Sequence, residues 1–392
     1  MSANSELRLS MSRLDEASIA PMVRAFQNGD PNVTRIQACC HSWFEQPEDD
    51  PWFEQAQDEL LIRMRACGQL ASAINQNTTV EELELIGFTA DMCSAVAEAL
   101  KHNVTLQSVV IYDAGGGDAA GIPFAEAMRH NTTLKSLKIA WVSQGFDGVG
   151  DGACAALAEA LRHNSTLRSL GLAGDFRNTT LRRLLDCARI SSLHLDMYGD
   201  GADALLVAVA EGMKRHSTIR HLTLVSEFIG DAAVAAIAEA LRNNLTLLSL
   251  TCHVYGMLDG HLVSDATGTV LAEALKRNIA LHSLIVQGPA SLVRAFPLAD
   301  VMKHNPILQL AQLAIWSPAS RDEITLSLDA AVLEAFHCNQ ELPTQWRALA
   351  CTARSKRDFS LATLSDIIIR TRVFAYFLPP LCTLKAKWPL YR

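Results

Sequence analysis

One phrase returns along this chain and constrains it more than any other feature. It reads "LAEALRHNSTLRSLGL" at 157–172, "AEALKHNVTLQSVVI" at 97–111 and "AEALRNNLTLLSL" at 238–250. A catalytic site is usually built once. A phrase that recurs is building material, each copy a supersecondary unit that buries its apolar side against its neighbours. The apolar anchors that open the second half of the phrase are Val80, Leu106, Leu134, Leu167, Ile190, Ile219, Leu247, Leu281 and Leu308, spaced 23 to 34 residues apart. Such spacing suits one strand plus one helix per copy. Residues 33–38, "VTRIQA", read as an earlier copy, and an acidic stretch at 41–59 separates it from the next.

Each anchor opens an L-x-x-L-x-L stretch, as in Leu167, Leu170 and Leu172. Its last positions alternate with polar residues, so it predicts a short strand with one buried face. The expected strands lie near 83–86, 108–111, 136–139, 169–172, 192–195, 221–224, 249–252 and 283–286. A Gly-rich loop then reaches an Asp (Asp118, Asp151, Asp200, Asp231) that reads as the N-cap of the following helix. The helix is written A-x-x-L-A-E-A-L, with a small apolar face for close packing. It closes on a cation, His and Asn, as in Arg162-His163-Asn164. The cation suits the negative helix end, and Glu98, Glu126 and Glu159 stand three residues before Lys101, Arg129 and Arg162. Asn tolerates left-handed backbone, so Asn103, Asn131, Asn164, Asn244 and Asn278 are expected as left-handed helix stops.

Composition removes several function classes. Of 392 residues 49% are apolar and 19% charged, which argues against disorder. A net charge of −8 gives no basic footprint for nucleic acid. No apolar run has the length of a membrane span, and the first residues lack the apolar core of a secretory signal. Ten cysteines without a Cys-x-x-Cys pair read as reduced thiols, so a cytoplasmic protein is expected. Seven Asn-x-Ser/Thr triplets fall mostly inside the phrase and read as by-products of it.

The stretch "LAEALRHNSTLRSLGLAGD" resembles the ribonuclease-inhibitor type of leucine-rich repeat, also found in NOD-like receptors and bacterial effector proteins. The resemblance covers about residues 30–316. It implies an α/β fold: a curved solenoid, or horseshoe, with parallel strands on the concave face and helices on the convex face. It places the chain in a host cytosol if the protein is a secreted bacterial effector. There are departures. The family often carries Asn or Cys at the ninth position of the repeat, where this chain has Phe88, Ala114, Val142, Asp175, Tyr198, Glu227, Tyr255 and Pro289. The internal polar ladder is therefore expected to be missing. The repeat from Leu167 to Ile190 is short and lacks the AEAL helix, and the last strand fits Leu310, Leu313 and Ile315 better than Leu308.

The domain reading is a helical cap over 1–30, repeats over 31–316 with the acidic insert 41–59, and a basic helical cap over 317–392. Residues 343–392 hold nine Lys/Arg against two Asp. An open solenoid end exposes core, so this tail is expected to cover the last repeat. Ser360, Leu361, Leu364 and Ile368, with the later Leu378-Pro379, resemble a SOCS box, although Ser365 stands where that motif has Cys. That resemblance implies an alternative function, the substrate-receptor subunit of a cullin-type ubiquitin ligase.

The leading functional expectation is a non-catalytic, monomeric scaffold that recognises a protein partner. One outward strand column is serine-rich (Ser108, Ser136, Ser169, Ser192, Ser249, Ser283), and small side chains let a partner approach closely. Aromatic residues gather just past the strands, where interfaces draw their anchors. The candidate partner-binding residues are Tyr112, Trp141, Tyr198, Phe228 and Tyr255, with Lys138, His194 and His221 on the strands. Gly115-Gly116-Gly117 lacks the Lys-Ser/Thr of a phosphate loop. The strand histidines bring no Cys or carboxylate at ligand spacing, so neither metal nor cofactor is expected.

Overall fold

A computed structural model describes residues 5–11, 15–29, 32–40, 53–112, 117–140, 148–187, 189–198, 201–215, 218–255, 263–288, 301, 304–305, 307–308, 310–316 and 323–329. The chain divides into two compact units, 1–199 and 200–392. The N-terminal unit runs β1 (Ser5–Met11), α1 (Glu16–Asn28), β2 (Val33–Cys40), α2 (Phe53–Asn75), β3 (Glu82–Ile86), α3 (Ala90–Leu100), β4 (Ser108–Tyr112), α4 (Asp118–His130), β5 (Ser136–Ala140), α5 (Asp151–Leu161), β6 (Ser169–Gly174), α6 (Asn178–Cys187) and β7 (Ser192–Met197). The C-terminal unit runs α7 (Ala202–Arg215), β8 (His221–Ser226), α8 (Asp231–Asn243), β9 (Ser249–Val254), α9 (Asp265–Arg277), β10 (Ser283–Gly288), β11 (Leu310–Trp316) and β12 (Glu323–Asp329).

Within each unit the strands lie side by side in chain order. The pairs β1–β2 through β6–β7 are parallel, as are β8–β9, β9–β10 and β10–β11. Each unit is an α/β strand–helix repeat solenoid, and the eight expected strands fall where the L-x-x-L-x-L pattern puts them. The last strand takes the slipped register, beginning at Leu310. It pairs antiparallel with β12, which covers the edge β11 would otherwise present.

Register explains the core. Leu83, Val109, Leu137, Leu170 and Leu193 form one row across β3–β7, and Leu85, Ile111, Ile139, Leu172 and Leu195 the next. All ten are buried against the helix layer. Each such side chain removed from water contributes roughly 1.5–3 kcal/mol. The helices meet that layer through small residues: α5 buries Ala153, Cys154, Leu157, Ala158, Ala160 and Leu161. The short repeat also has a helix, α6, written without the AEAL pattern but amphipathic, burying Leu181, Leu184 and Leu185.

The helix stops differ from expectation. Asn131, Asn244 and Asn278 are extended, with φ of −72°, −83° and −72°, not left-handed. Their role is to build a buried polar ladder, so the ladder expected to be missing is present at another position of the repeat. Asn131 Nδ2 donates to the Leu100 carbonyl at 2.6 Å and to the Asn103 carbonyl at 3.1 Å. Its Oδ1 accepts from the N–H groups of Thr133 (3.0 Å) and Leu134 (2.7 Å). Asn164 and Asn278 repeat this set with Met128 and Asn131, and with Leu241 and Asn244. Each Asn thus satisfies an orphan carbonyl at the end of the preceding helix and the turn that starts its own strand. Cys187 and His216 stand where the pattern calls for the Asn before anchors Ile190 and Ile219. A left-handed stop does occur at Gly29, φ 60°, after α1.

Asp118, Asp151 and Asp231, expected as N-caps, are not the caps of their own helices, where Gly117, Gly150 and Gly230 hold that position; they act one repeat onward. Asp118 opens α4, yet its oxygens accept from Gly152 N–H (3.0 Å) and Ala153 N–H (2.9 Å) at the start of α5. Asp151 accepts from Arg177 N–H at 2.8 Å, Asp203 from Gly230 N–H at 2.7 Å and Asp231 from Ser264 N–H at 2.8 Å. Carboxylates suit the positive helix start, so each aspartate welds two repeats. Asp200 lies outside the described residues, and Asp203 takes this role on α7. The Ser264 N–H bond, then the Thr267 hydroxyl, holds the Asp231 carboxyl below its usual 3.8. A folded-state pKa lowered in this way contributes stability above the unfolded value and loses it as pH falls through the folded one. Asp231→Asn is therefore expected to flatten the acid limb of a stability–pH profile below about pH 4. An unchanged acid limb would show that the bond carries no such coupling.

The segment 1–30, expected as a helical cap, carries a strand as well as a helix, and β1 extends the parallel sheet. Residues 53–59 of the acidic insert belong to α2. In the expected 317–392 cap, residues 323–329 form β12. Trp141 and the SOCS-box-like Ser360, Leu361, Leu364, Ser365, Ile368 and Leu378-Pro379 lie outside the described residues.

Candidate functional site

The side of the N-terminal sheet that faces away from the helices holds the candidate residues. Along β4 and β5 the buried positions alternate with Ser108, Val110, Tyr112, Ser136 and Lys138, all half-buried. The β4–β5 register puts Lys138 opposite Val110, one step from Tyr112. Lys138 Nζ lies 5.3 Å from the centre of the Tyr112 ring, a cation–π contact. The next strand makes room. A Cβ on Gly171 would sit 2.7 Å from Lys138 Cγ, so the lysine stem occupies the space a side chain on β6 would need. His194 on β7 is paired with Gly171 and is half-buried. Tyr112, Lys138 and His194 thus share one stretch of sheet. Tyr198, just past β7, is half-buried and donates its hydroxyl to Asp196 Oδ2 at 3.0 Å.

In the C-terminal unit, His221 is exposed at the start of β8, and Phe228 and Tyr255 are half-buried past β8 and β9. Ser226 donates to the Phe228 carbonyl at 2.7 Å, which fixes that loop. A shallow depression of about 360 Å³ is lined by Val225, His253, Val254, Tyr255 and Gln287. His253 Nδ1 is hydrogen-bonded to Gln287 Oε1 across β9–β10. Phe176, another aromatic past a strand, is 3% exposed and belongs to the core.

An ionic cluster on β1–β3 escaped the sequence reading. Arg35 reaches Glu6 at 3.2 Å, Glu84 at 2.8 Å and Glu82 at 3.7 Å, while Gln37 donates to Glu84 at 2.9 Å. The Glu84 hydrogen bond leads in raising the Arg35 pKa above its usual value. The signal was the period-two spacing of Glu82 and Glu84 against Arg35 and Gln37, visible once β2 and β3 are aligned. The helix-end pairs appear as expected: Lys101–Glu98, Arg129–Glu126 and Arg162–Glu159 at 2.5, 3.5 and 3.6 Å.

Burial pushes the Cys67 thiol up to about 11 and those of Cys93, Cys154 and Cys252 to about 12. At neutral pH these four are not thiolates, so they are poor nucleophiles. Among the described residues no group of three or more His, Cys, Asp and Glu is placed to hold a metal ion. No described helix is long and apolar enough to cross a membrane.

No family model and no curated protein matches the chain. Among solved structures, one match is leiomodin-1 actin-binding site 2 (ABS2), with 20% identity and a TM-score of 0.28 over 46% of this chain and 86% of that one. The class rests on the chain's own strand order, register and repeat. Each unit is a leucine-rich-repeat-like α/β solenoid.

Proposed function

We propose that the chain is a non-catalytic scaffold of ribonuclease-inhibitor-like repeats that recognises a protein partner through the outward sheet face and the edge just past the strands. One observation carries the reading. Parallel sheets are as a rule buried on both faces. Here Ser108, Tyr112, Ser136, Lys138, Ser192 and His194 remain half-exposed on a parallel sheet whose other face is buried. A broad, regular face of small polar side chains with an aromatic at its rim is the surface that repeat proteins offer to partners.

Proximity labelling followed by titration of the purified partner tests the proposal. Tyr112→Ala and Tyr198→Ala are each expected to weaken binding about thirtyfold, the effect of losing ~2 kcal/mol at an interface anchor. Both rings are half-exposed, so the unfolding midpoint is expected to hold. A matching loss of stability with no specific loss of affinity would return the two tyrosines to a packing role and overturn the proposal.

A further inference from the structure

Three cations at β5 and at the entries to β5 and β6 have no carboxylate partner among the described residues. Lys135 and Arg168 enter β5 and β6 side by side, the Arg168 N–H donating to the Lys135 carbonyl at 2.8 Å. Both are exposed. Lys135 Nζ donates to the neutral Oε1 of Gln107 at 2.7 Å, and Arg168 reaches only the Leu167 carbonyl, at 3.4 Å. Lys138, further along β5, has the Tyr112 ring beneath its Nζ at 5.3 Å. By contrast, Arg35, Lys101, Lys214 and Lys276 each sit on a glutamate. The half-exposed hydroxyls of Ser136 and Ser169, paired across β5–β6, add donors to the same patch.

We infer that Lys135, Arg168 and Lys138, with the serine hydroxyls between them, form the docking site for an acidic peptide segment of the partner, an inference that rests on the recognition-scaffold reading above. Charge complementarity selects the occupant. Lys135 and Arg168 stand at the entries of neighbouring strands ~4.8 Å apart, and alternate carboxylates of an extended peptide recur every ~6.8 Å, a difference that long cationic side chains span. A uniform polyanion fits less well. The same sheet carries Glu6, Glu82 and Glu84 on β1 and β3, three carboxylates against Arg8 and Arg35, and the net negative charge of that cluster repels a continuous phosphate backbone. The site therefore reads a short run of carboxylates and orients it away from the β1–β3 end.

The test uses the full chain and a fluorescein-labelled twelve-residue peptide of alternating Glu and Ser, followed by anisotropy. The matching Lys–Ser peptide and a twelve-nucleotide oligo(U) serve as comparators. The acidic peptide is expected to bind better than both, and to weaken as salt rises past ~0.15 M, where screening acts over ~8 Å. Lys135→Glu/Arg168→Glu is expected to weaken it about tenfold or more at an unchanged unfolding midpoint. Arg183→Glu, exposed on α6 in the helix layer, is expected to leave it unchanged. Should the reversed pair fail to fold, Lys135→Gln/Arg168→Gln carries the same test, with a several-fold loss expected. No binding of the acidic peptide, tighter binding of oligo(U), or an equal loss in Arg183→Glu overturns the inference. If the purified partner still binds the charge-reversed chain with full affinity while Tyr112→Ala weakens it, the acidic-peptide site falls and the scaffold reading stands.

Discussion

Asn131→Ala is expected to lower the unfolding free energy by about 4 kcal/mol, because several buried polar groups lose their partners at once and each orphan costs ~1–3 kcal/mol. The side chain is 3% exposed. It links the Leu100 carbonyl at the end of α3, the Asn103 carbonyl and the Thr133 and Leu134 amides. Water cannot replace it without opening the repeat. In amide hydrogen exchange, Thr133 and Leu134 are expected to lose protection first. Asn131→Asp separates the two halves of the argument. It keeps the acceptor but loses the donors, so it is destabilised at neutral pH and partly recovers when acid protonates the carboxyl. A variant as stable as the parent would show that the ladder contributes nothing beyond shape.

Gly174→Ala is expected to cost about 3 kcal/mol, at the upper end of overpacking penalties. An added Cβ would lie 2.1 Å from the Val149 carbonyl oxygen and 2.8 Å from its nitrogen. The obstacle is backbone, and backbone held in place, since the Val149 N–H donates to the Ala173 carbonyl at 2.9 Å. Nothing flexible can yield there. Gly68 gives the opposite sign. It sits inside α2 with no atom within 4 Å of the added Cβ, so Gly68→Ala is expected to stabilise by ~0.5–1 kcal/mol through backbone entropy. Parallel denaturant titrations of the two variants test both. Equal effects at the two glycines would mean that the close approach of 148–149 to β6 does not constrain the fold.

The repeat was readable from residues because local rules act within one copy. Period-two alternation marked Leu137 and Ile139 as inward and Lys138 as outward, and a strand has no other way to bury one face. The helices followed from AEAL spacing, and their Glu–cation pairs from a three-residue offset. Anchor spacing, alternation and the AEAL pattern thus pointed to a repeated strand–helix unit, and the resemblance to leucine-rich repeats implied its solenoid form. What they left undecided lies between copies. Asn131 looks like a local helix stop in sequence, but its donors reach 28 and 31 residues back. Asp118 looks like the cap of its own helix, but its acceptors serve a helix 34 residues on. The Arg35 cluster joins residues up to 49 apart. The setting of Lys138, over Gly171 and beside Tyr112, draws on three strands. Propensity and periodicity describe a chain against its own near neighbours. Satisfying buried polar groups and pairing charges depends on which repeat lies alongside and in what register, and only tertiary stacking supplies that.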